Sequence, residues 1–421
     1  MAKRVLLLVS TTSYRADDFA VAAERLGVEA VLGTDRCHQL AELWDRSKFG
    51  GSLQVEFRDS AEAAARIVFE AQTRRYDAIV PTDEPTAEIA ALAASLLGLP
   101  GNSPAAARTA RNKRLTREAL AREGVPSPPH QVFSEDQAPE AVAARVRFPC
   151  VLKPLLCAAS RGVMRADDRA GFVIAWRRLH ALLQTPALRA VEDPDGHRIL
   201  VEDFVPGAEV AVEGILSKGR LEVLAIFDKP DPLDGPFFEE TIYVTPSRQD
   251  AATQAAIARV TGDAARAIGL VEGPIHAELR LPAGAPPQAI EVAARSIGGL
   301  CARTLRFGLD GRSLEELVLQ HALGEPIGPL ERIGAAGVMM IPIPEGGVFQ
   351  EASGVAEARR VALIEDVVIS AHPGQVLVPL PEGHSYLGFI FARGDRPDAV
   401  EAALRDAHRQ LRFRIARTLT G

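Results

Sequence analysis

The sequence predicts a mixed α/β and α+β fold, with a parallel α/β segment first and antiparallel α+β segments after it. Short apolar stretches near the N-terminus have the length of buried strands, and helical patterns lie between or after them. This alternation is typical of a parallel sheet built from βαβ units. Strands are predicted at residues 4–9, 28–32 and 77–81, and helices at 17–26, 59–75 and 86–97. A turn cluster at 97–104 ends this segment.

The remaining chain reads as α+β, with a hairpin through Gly219 and Arg220. The stretch 283–287 is predicted to be a turn between two buried strands, which carry Glu278 and Glu291. Residues 330–394 are rich in strands and turns. Other strands are predicted near 149–154 and 198–203, and helices at 105–122, 168–184, 250–268 and 397–418. The predicted domains are 1–104, 105–200, 201–329 and 330–421.

Composition and charge exclude several classes of function. The net charge of −7 gives no electrostatic basis for binding nucleic acid or an anionic membrane. No apolar run approaches the ~20 residues that span a bilayer, and the short run at 4–9 fits a strand better than a signal peptide. The cysteines have no paired spacing, so free thiols in a cytoplasmic protein are expected. They are Cys37, Cys150, Cys157 and Cys301.

Two carboxylates and an arginine form the most informative pattern in the chain. Glu278 lies thirteen residues before Glu291, and Arg295 and a glycine pair, Gly298 and Gly299, follow. Two carboxylates on one face of neighbouring strands can hold Mg²⁺ together with substrate phosphates. The arginine, helped by backbone N–H groups at the glycines, can stabilise a transferring phosphoryl group or an acyl oxyanion. These are the functional groups that ATP-dependent activation of a carboxylic acid requires at a minimum.

Two lysines precede this pattern in distinctive local sequence. Lys153 ends an apolar strand, and a loop of mostly small residues at 158–163, including Ser160 and Gly162, follows it. Small side chains let backbone N–H groups approach a phosphate, but an ordinary strand–turn–strand with a solvated lysine explains the pattern equally well. Lys113 lies on a helix, where a solvated face is the better interpretation when the residue is considered alone.

Three further segments have a functional and a plain structural interpretation. Backbone groups of Glu202, Asp203, Phe204 and Val205 can bond an adenine edge, and Glu209 can accept from ribose hydroxyls, although an amphipathic strand with exposed acids is the better interpretation in isolation. The loop at 228–241, with Lys229, either contacts substrate or is a surface connection. His276 shares a strand face with Glu278, yet a lone histidine is more often structural. Motifs of competing chemistries, such as the P-loop and His-Glu-x-x-His, are missing from the sequence.

Taken in order over residues 4–418, these motifs resemble the ATP-grasp superfamily of carboxylate–amine ligases. Within it, Asp228-Lys-Pro230, His276-Ala-Glu278 and Glu291-Val-Ala-Ala-Arg295 are most similar to L-amino-acid ligases of the bacilysin-synthesis type. The resemblance implies a Rossmann-like N-terminal domain, two α+β subdomains around ATP and a strand-rich C-terminal subdomain. It also implies amide formation from small-molecule carboxylate and amine substrates through an acyl phosphate.

The resemblance also assigns roles to individual residues. It implies phosphate contacts for Lys113 and Lys153, a lid at 158–163, and an adenine and ribose site at Glu202 to Val205 and Glu209. Glu278 and Glu291 would hold Mg²⁺, with Mn²⁺ as an alternative, and Arg295 would stabilise the intermediate. Substrate selection is expected from His276, Lys229, Gly298, Gly299, the 10–15 loop and the Asp83-Glu84 turn.

Two departures from the family pattern and two rival functions stay open at this stage. Ala293 replaces an asparagine that many ATP-grasp enzymes carry, and the lid has alanines and Arg161 where glycine is common. One rival is a biotin-carboxylase-like enzyme, although no Met-Lys carrier segment is present. The other is a non-catalytic nucleotide-binding regulator, against which the retained acids, lysines and arginine argue. A homodimer is neither required nor excluded.

Overall fold

A four-stranded parallel sheet forms the N-terminal part of the computed structural model, which describes residues 2–10, 13–35, 46–191, 193–328, 330–331 and 334–417. Helices Ala16–Leu26, Ser60–Ala71 and Ala87–Leu97 connect its strands or follow them. The predicted parallel βαβ arrangement is therefore confirmed. In spatial order the strands are Ser52–Gln54, Glu29–Thr34, Arg4–Leu8 and Ala78–Pro81.

A second sheet, the lid sheet, has four antiparallel strands and is covered by helix Arg169–Leu183. Phe172 and Trp176 of that helix are buried, and Trp176 meets Phe133 edge to face with ring centroids 6.3 Å apart. This packing holds the strand that ends in Lys153. The strands, in spatial order, are His130–Ser134, Arg198–Asp203, Cys150–Pro154 and Met164–Ala166.

The largest sheet, the central sheet, has eight antiparallel strands and runs across the boundary predicted at 329/330. Glu278 and Glu291 lie on its first two strands, and the predicted hairpin through Gly219 joins the third and fourth. The domain boundaries remain a prediction. The strands, in spatial order, are Gln288–Ala293, Gly273–Leu281, Ala208–Ser217, Arg220–Lys229, Ile242–Thr245, Ala335–Ile341, Gly388–Gly394 and Ile364–Ile369.

Apolar packing fixes the N-terminal sheet against the central sheet. One buried cluster combines Val5 of the N-terminal sheet and Phe19 of the helix Ala16–Leu26 with Phe227 and Phe389 of the central sheet. Because interiors are close-packed, this shared core holds the edges of the two sheets in a fixed relation. Helix Ala251–Ile268 covers the same sheet elsewhere, in a separate cluster.

Two predicted helices were wrong in extent. The helix predicted at 105–122 is two helices, Pro104–Arg111 and Lys113–Arg122, because the Asn112 side chain accepts from the Arg114 and Leu115 N–H groups and caps the second one. The helix predicted at 397–418 ends at Gln410. Strand Arg412–Ala416 follows it and pairs with Gly347–Ser353; residue 418 lies outside the described residues.

The remaining elements are short and leave the central architecture unchanged. Among the described residues, no helix combines the length and apolar character needed to cross a membrane. Cys150, Cys157 and Cys301 are free thiols, as predicted, and Cys37 lies outside the described residues. The other helices are Pro139–Ala143, Pro186–Arg189, Leu314–Ala322 and Val355–Arg359, with 3₁₀ turns at Arg46–Lys48, Glu84–Thr86, Pro194–His197 and Cys301–Thr304, and short strands at Val376–Leu377, Arg306–Phe307 and Arg312–Ser313.

Candidate active site

A cleft of about 960 Å³ opens where the N-terminal, lid and central sheets meet. Of the predicted site residues, only Gly162 and Lys229 do not line it. Those that do are Lys113, Lys153, Ser160, Glu202, Asp203, Phe204, Val205, Glu209, His276, Glu278, Glu291, Arg295, Gly298 and Gly299. Their proximity is an observation, whereas their individual roles stay predictions.

Glu278 and Glu291 are direct cross-strand partners in the antiparallel register. Their side chains therefore share one sheet face, within reach of a single ion or phosphate. Each has a lysine partner: Lys229 Nζ lies 3.0 Å from Glu278 Oε1, and Lys113 Nζ lies 3.4 Å from Glu291 Oε2. The donors are carboxylate oxygens, which fit a hard divalent cation such as Mg²⁺ or Mn²⁺. Ala293 adds no oxygen side chain to this set.

Lys113 and its partners connect the lid loop to this carboxylate. Its ammonium donates to the Cys157 carbonyl at 2.7 Å. Burial alone would lower the pKa of Lys113, but the nearby Glu291 and Glu84 carboxylates raise it above the ordinary value. Lys113 thus stays protonated at neutral pH and is not on the solvated helix face that its local sequence favoured.

Lys229 is the centre of a buried charge cluster that the sequence did not predict. Its ammonium contacts Glu209 at 2.8 Å, Glu278 at 3.0 Å and also Glu240. Burial would lower the pKa of Lys229, but the three carboxylates raise it well above its usual range. Oxygens of Glu209, Glu240 and Glu278 lie within 4.8 Å of one another, so the ammonium is what keeps these acids together. Lys229 therefore lies behind the predicted ligands and fixes their positions.

His276 lies between two carboxylates. Its Nδ1 is 3.2 Å from Glu213 Oε2, and its Nε2 is 3.6 Å from Glu278 Oε1. Burial would lower the pKa of His276, but hydrogen bonds and charge from Glu213 and Glu278 raise it to about 9. The fully buried Glu213, which sequence reasoning missed, also accepts the Ile297 N–H at 3.1 Å. Glu213 thereby connects His276 to the segment that leads into Gly298 and Gly299.

The Glu202–Val205 segment presents fewer free backbone donors than the sequence suggested. The Asp203 and Phe204 N–H groups donate to the Pro129 and Pro149 carbonyls, each at 3.0 Å. Within the described part of the chain, the Val205 N–H has no such partner and can meet a ligand. The alternative of exposed acids is wrong, because Glu202 is 2% and Glu209 8% exposed.

Arg295 follows the strand that carries Glu291 and reaches the 3₁₀ turn at Glu84–Thr86, just after the N-terminal sheet. Its Nε donates to Glu84 Oε2 at 3.0 Å, and its Nη1 donates to the Ser296 carbonyl at 3.0 Å. Burial would lower the pKa of Arg295, but Glu84 and Glu291 raise it, so the guanidinium stays charged. Asp83 and Glu84 line the cleft, and the predicted part of this turn in substrate selection stays a prediction. Ser10 and Ser13 of the predicted 10–15 loop bond Asp83, and residues 11–12 lie outside the described residues.

Gly299 needs its glycine for two reasons. Its φ of +59° is a conformation that residues with a Cβ rarely adopt. A Cβ there would also lie 3.0 Å from the Phe389 ring. By contrast, a Cβ at Gly298 would meet nothing within 4 Å. Gly299 therefore allows the backbone to turn at the cleft wall four residues after Arg295.

Comparison with known proteins identifies the architecture. Residues 146–304 match the ATP-grasp domain family, and residues 339–416 match the L-amino acid ligase C-terminal domain 2 family. The solved L-amino acid ligase from Bacillus licheniformis superimposes with a TM-score of 0.83 at 27% identity, over 98% of this chain and 99% of that one. The chain contains an ATP-grasp domain, followed by an L-amino acid ligase C-terminal domain. The family resemblance and the fold class inferred from the ordered motifs are thereby confirmed.

Curated relatives of this chain include ligases and synthases. Alanine–anticapsin ligase of Bacillus subtilis is 26% identical over 69% of the chain and 64% of its own length. Carnosine synthase 1 of Gallus gallus is 33% identical over 69% of the chain and 32% of its own length. The chain thus spans less than two thirds of the length of both. Biotin carboxylase from Campylobacter jejuni, at 16% identity and a TM-score of 0.67, shares the fold alone.

The predicted lid loop at 158–163 is hydrogen-bonded to the C-terminal region. We call this set of contacts the clasp. The Gly162 N–H donates to the Pro381 carbonyl at 2.7 Å, and Arg161 Nε donates to the Glu382 carbonyl at 3.0 Å. The Arg178 guanidinium makes two bonds to the Glu382 carboxylate. Ser160 has a φ of +54°, which is unusual for a residue with a Cβ. Arg161 therefore bonds the C-terminal loop through its Nε, and it also lines the cleft.

Glu382→Ala is expected to loosen this clasp slightly. For the ligase activity proposed below, a looser clasp would raise the share of ATP hydrolysed without amide formation. The ion pair is about 40% exposed on each side, so its loss is worth at most about 1 kcal/mol, or about fivefold in the open-to-closed ratio of the lid. The ADP-to-amide ratio measures the effect. Glu351→Ala, which removes an exposed ion pair with Arg414, is the matched control and is expected to leave the ratio unchanged.

Proposed function

We propose that this chain is an ATP-dependent carboxylate–amine ligase that forms an amide or peptide bond through an acyl phosphate. The observation that carries the proposal is the pairing of Glu278 with Glu291 beside the cationic Lys113, Lys153 and Arg295 in one cleft. Adjacent acids and cations at this density suit a nucleotide polyphosphate with its divalent cation. The proposed substrates are amino-acid-like small molecules, because the relatives include alanine–anticapsin ligase, carnosine synthase and dapdiamide A synthase.

The proposed reaction has two steps. The substrate carboxylate attacks the γ-phosphorus of ATP, forming an acyl phosphate and releasing ADP. The amine then attacks the acyl carbon, loses a proton, and the tetrahedral intermediate collapses with release of phosphate. A divalent cation, Mg²⁺ or Mn²⁺, would be held by Glu278 and Glu291 and would neutralise phosphate charge.

The protein's own side chains supply positioning and charge for both steps. Lys113 and Lys153 neutralise phosphate oxygens, and Arg295 stabilises the developing oxyanion, as preorganised donors do in acyl transfer. The Val205 N–H and the Glu209 carboxylate are assigned to adenine and ribose. Lys229 and His276 hold the acids in place; His276 borders the substrate space, and Lys229 lies behind the acids. Closure of the lid clasped by Glu382 would exclude water, which otherwise hydrolyses an acyl phosphate.

The test is ADP release with ATP and Mg²⁺ or Mn²⁺, for amino acids supplied singly and in pairs, with products analysed by mass. A carboxylate–amine ligase requires both substrates and yields an amide of the summed masses minus water. Glu291→Ala should abolish turnover because one acid of the pair is lost, whereas Glu351→Ala on the exposed surface should not. Turnover with bicarbonate would favour the biotin-carboxylase-like alternative. Tight ATP binding without turnover on any substrate would contradict the ligase proposal and favour a nucleotide-binding regulator.

A further inference from the structure

A buried triad of alternating charges lies at the wall of the cleft. Arg117, on the helix that begins at Lys113, is 1% exposed. Its Nε donates to Glu202 Oε1 at 2.6 Å, and Lys153 Nζ lies 2.7 Å from Glu202 Oε2. Each carboxylate oxygen therefore has its own cation. Lys153 and Glu202 line the cleft, whereas Arg117 does not.

The charges of this triad leave one positive charge at the cleft wall. Glu202 alone would offset Lys153, and the resulting neutral pair would attract an anion only weakly. Arg117 satisfies and neutralises the carboxylate from behind, so that the Lys153 ammonium is left uncompensated on the cleft side. Burial would raise the pKa of Glu202, but Arg117 and Lys153 lower it to about 2, so the carboxylate is ionised at neutral pH.

Arg117 also reaches the strand that carries the second cleft carboxylate. Its Nη2 donates to the Ile290 carbonyl at 2.5 Å, and Ile290 directly precedes Glu291. A single guanidinium thus joins the Lys113 helix, the Glu202 strand and the Glu291 strand. A planar fork with several fixed donors suits this role, which a lysine ammonium would fill less completely.

We propose that Arg117 is a positioning residue for nucleotide binding, because it neutralises Glu202 and so makes the Lys153 charge available to the polyphosphate of ATP. This inference rests on the proposed use of ATP. It assigns Arg117 no contact with ATP or with the reacting atoms. The inference predicts that nucleotide binding no longer depends on Arg117 once the charge of Glu202 is removed.

The test measures the affinity of a non-hydrolysable ATP analogue for the whole chain by calorimetry, without added amino acids. Arg117→Met is expected to weaken binding about tenfold or more, the scale of one lost charge-assisted contact. Arg117→Met combined with Glu202→Gln should recover affinity to within about threefold of wild type, because no carboxylate then offsets Lys153. A packing role for Arg117 would predict that the second substitution adds to the loss.

Arg114→Met is the matched control. Arg114 lies on the same helix and pairs with Asp195 and Glu118, but it does not line the cleft. Arg114→Met is expected to leave the affinity for the ATP analogue unchanged.

Arg117→Lys gives a second test if Arg117→Met fails to fold. Because lysine keeps the charge, Arg117→Lys should bind the analogue more tightly than Arg117→Gln. Normal binding by Arg117→Met, no recovery in the double variant, or equal binding by Arg117→Lys and Arg117→Gln would overturn the inference. Failure of the wild-type chain to bind the analogue would instead contradict the proposed function.

Discussion

Arg295→Ala is expected to lower kcat by about 10²–10³-fold, the usual cost of removing one preorganised oxyanion donor. Arg295 is the cleft cation that follows the paired acids, and its Nε is already held by Glu84, in the turn after the N-terminal sheet. Because the guanidinium is already held in place, it needs little reorganisation when negative charge develops in the transition state. The KM for ATP should change much less than kcat, because nucleotide affinity is assigned to Lys113 and Lys153. Steady-state kinetics with a substrate pair that supports turnover give both quantities.

Two further arginine variants make this result specific to the Arg295 side chain. Arg295→Lys keeps the charge but loses the planar fork, so an intermediate kcat is expected. Arg303→Ala removes an arginine that pairs with Asp18 and does not line the cleft, and it should leave kcat near that of wild type. An unchanged kcat in Arg295→Ala would exclude Arg295 from the chemical step.

Much of the fold was predictable because its signals are local. The strands that carry Lys153, Glu278 and Glu291 are apolar runs bounded by turns, and the helix Ala251–Ile268 is marked by its periodicity. The two helices whose predicted extents were wrong have local signals at their true ends. Asn112 is a favourable N-cap residue, and the alternation of arginine with Phe413 and Ile415 indicates a strand instead of a continuing helix.

The missing site residues could not be found in this way, because their meaning comes from distant partners. Arg117 is 85 residues from Glu202, and Glu213 is 63 residues from His276. In the sequence, Arg117 is one more basic residue on an amphipathic helix, and Glu213 is an acid inside a strand. Only the packing of the strands turns each into a buried member of a charge pair. For Glu240, the only sequence feature that indicated a place in the site was its position in the 228–241 loop.

Lys229→Met is expected to be the most destabilising of these substitutions, by about 3–5 kcal/mol, because it leaves buried carboxylates without their cation. Lys229 is 6% exposed and contacts Glu209, Glu240 and Glu278 at once. Methionine fills a similar volume, so loss of packing is a small part of the effect. A melting temperature lower by several degrees, about 5–10 °C, is the expected measurement for a chain of this size. Lys218→Met, at an exposed turn, should change it little.

The pH dependence of this loss distinguishes unpaired charge from any packing defect. Burial would raise the pKa of Glu278, but Lys229 and His276 lower it well below the ordinary value. A lowered folded-state pKa stabilises the fold above the unfolded value of about 4.3, and this contribution is lost as the pH falls through the folded value. In Lys229→Met the acids take up protons at higher pH, which removes the unpaired charge. The difference in melting temperature between wild type and variant should therefore be largest near pH 7.5 and smaller near pH 5. A difference that is the same at both pH values would show that Lys229 acts through packing and not through its charge.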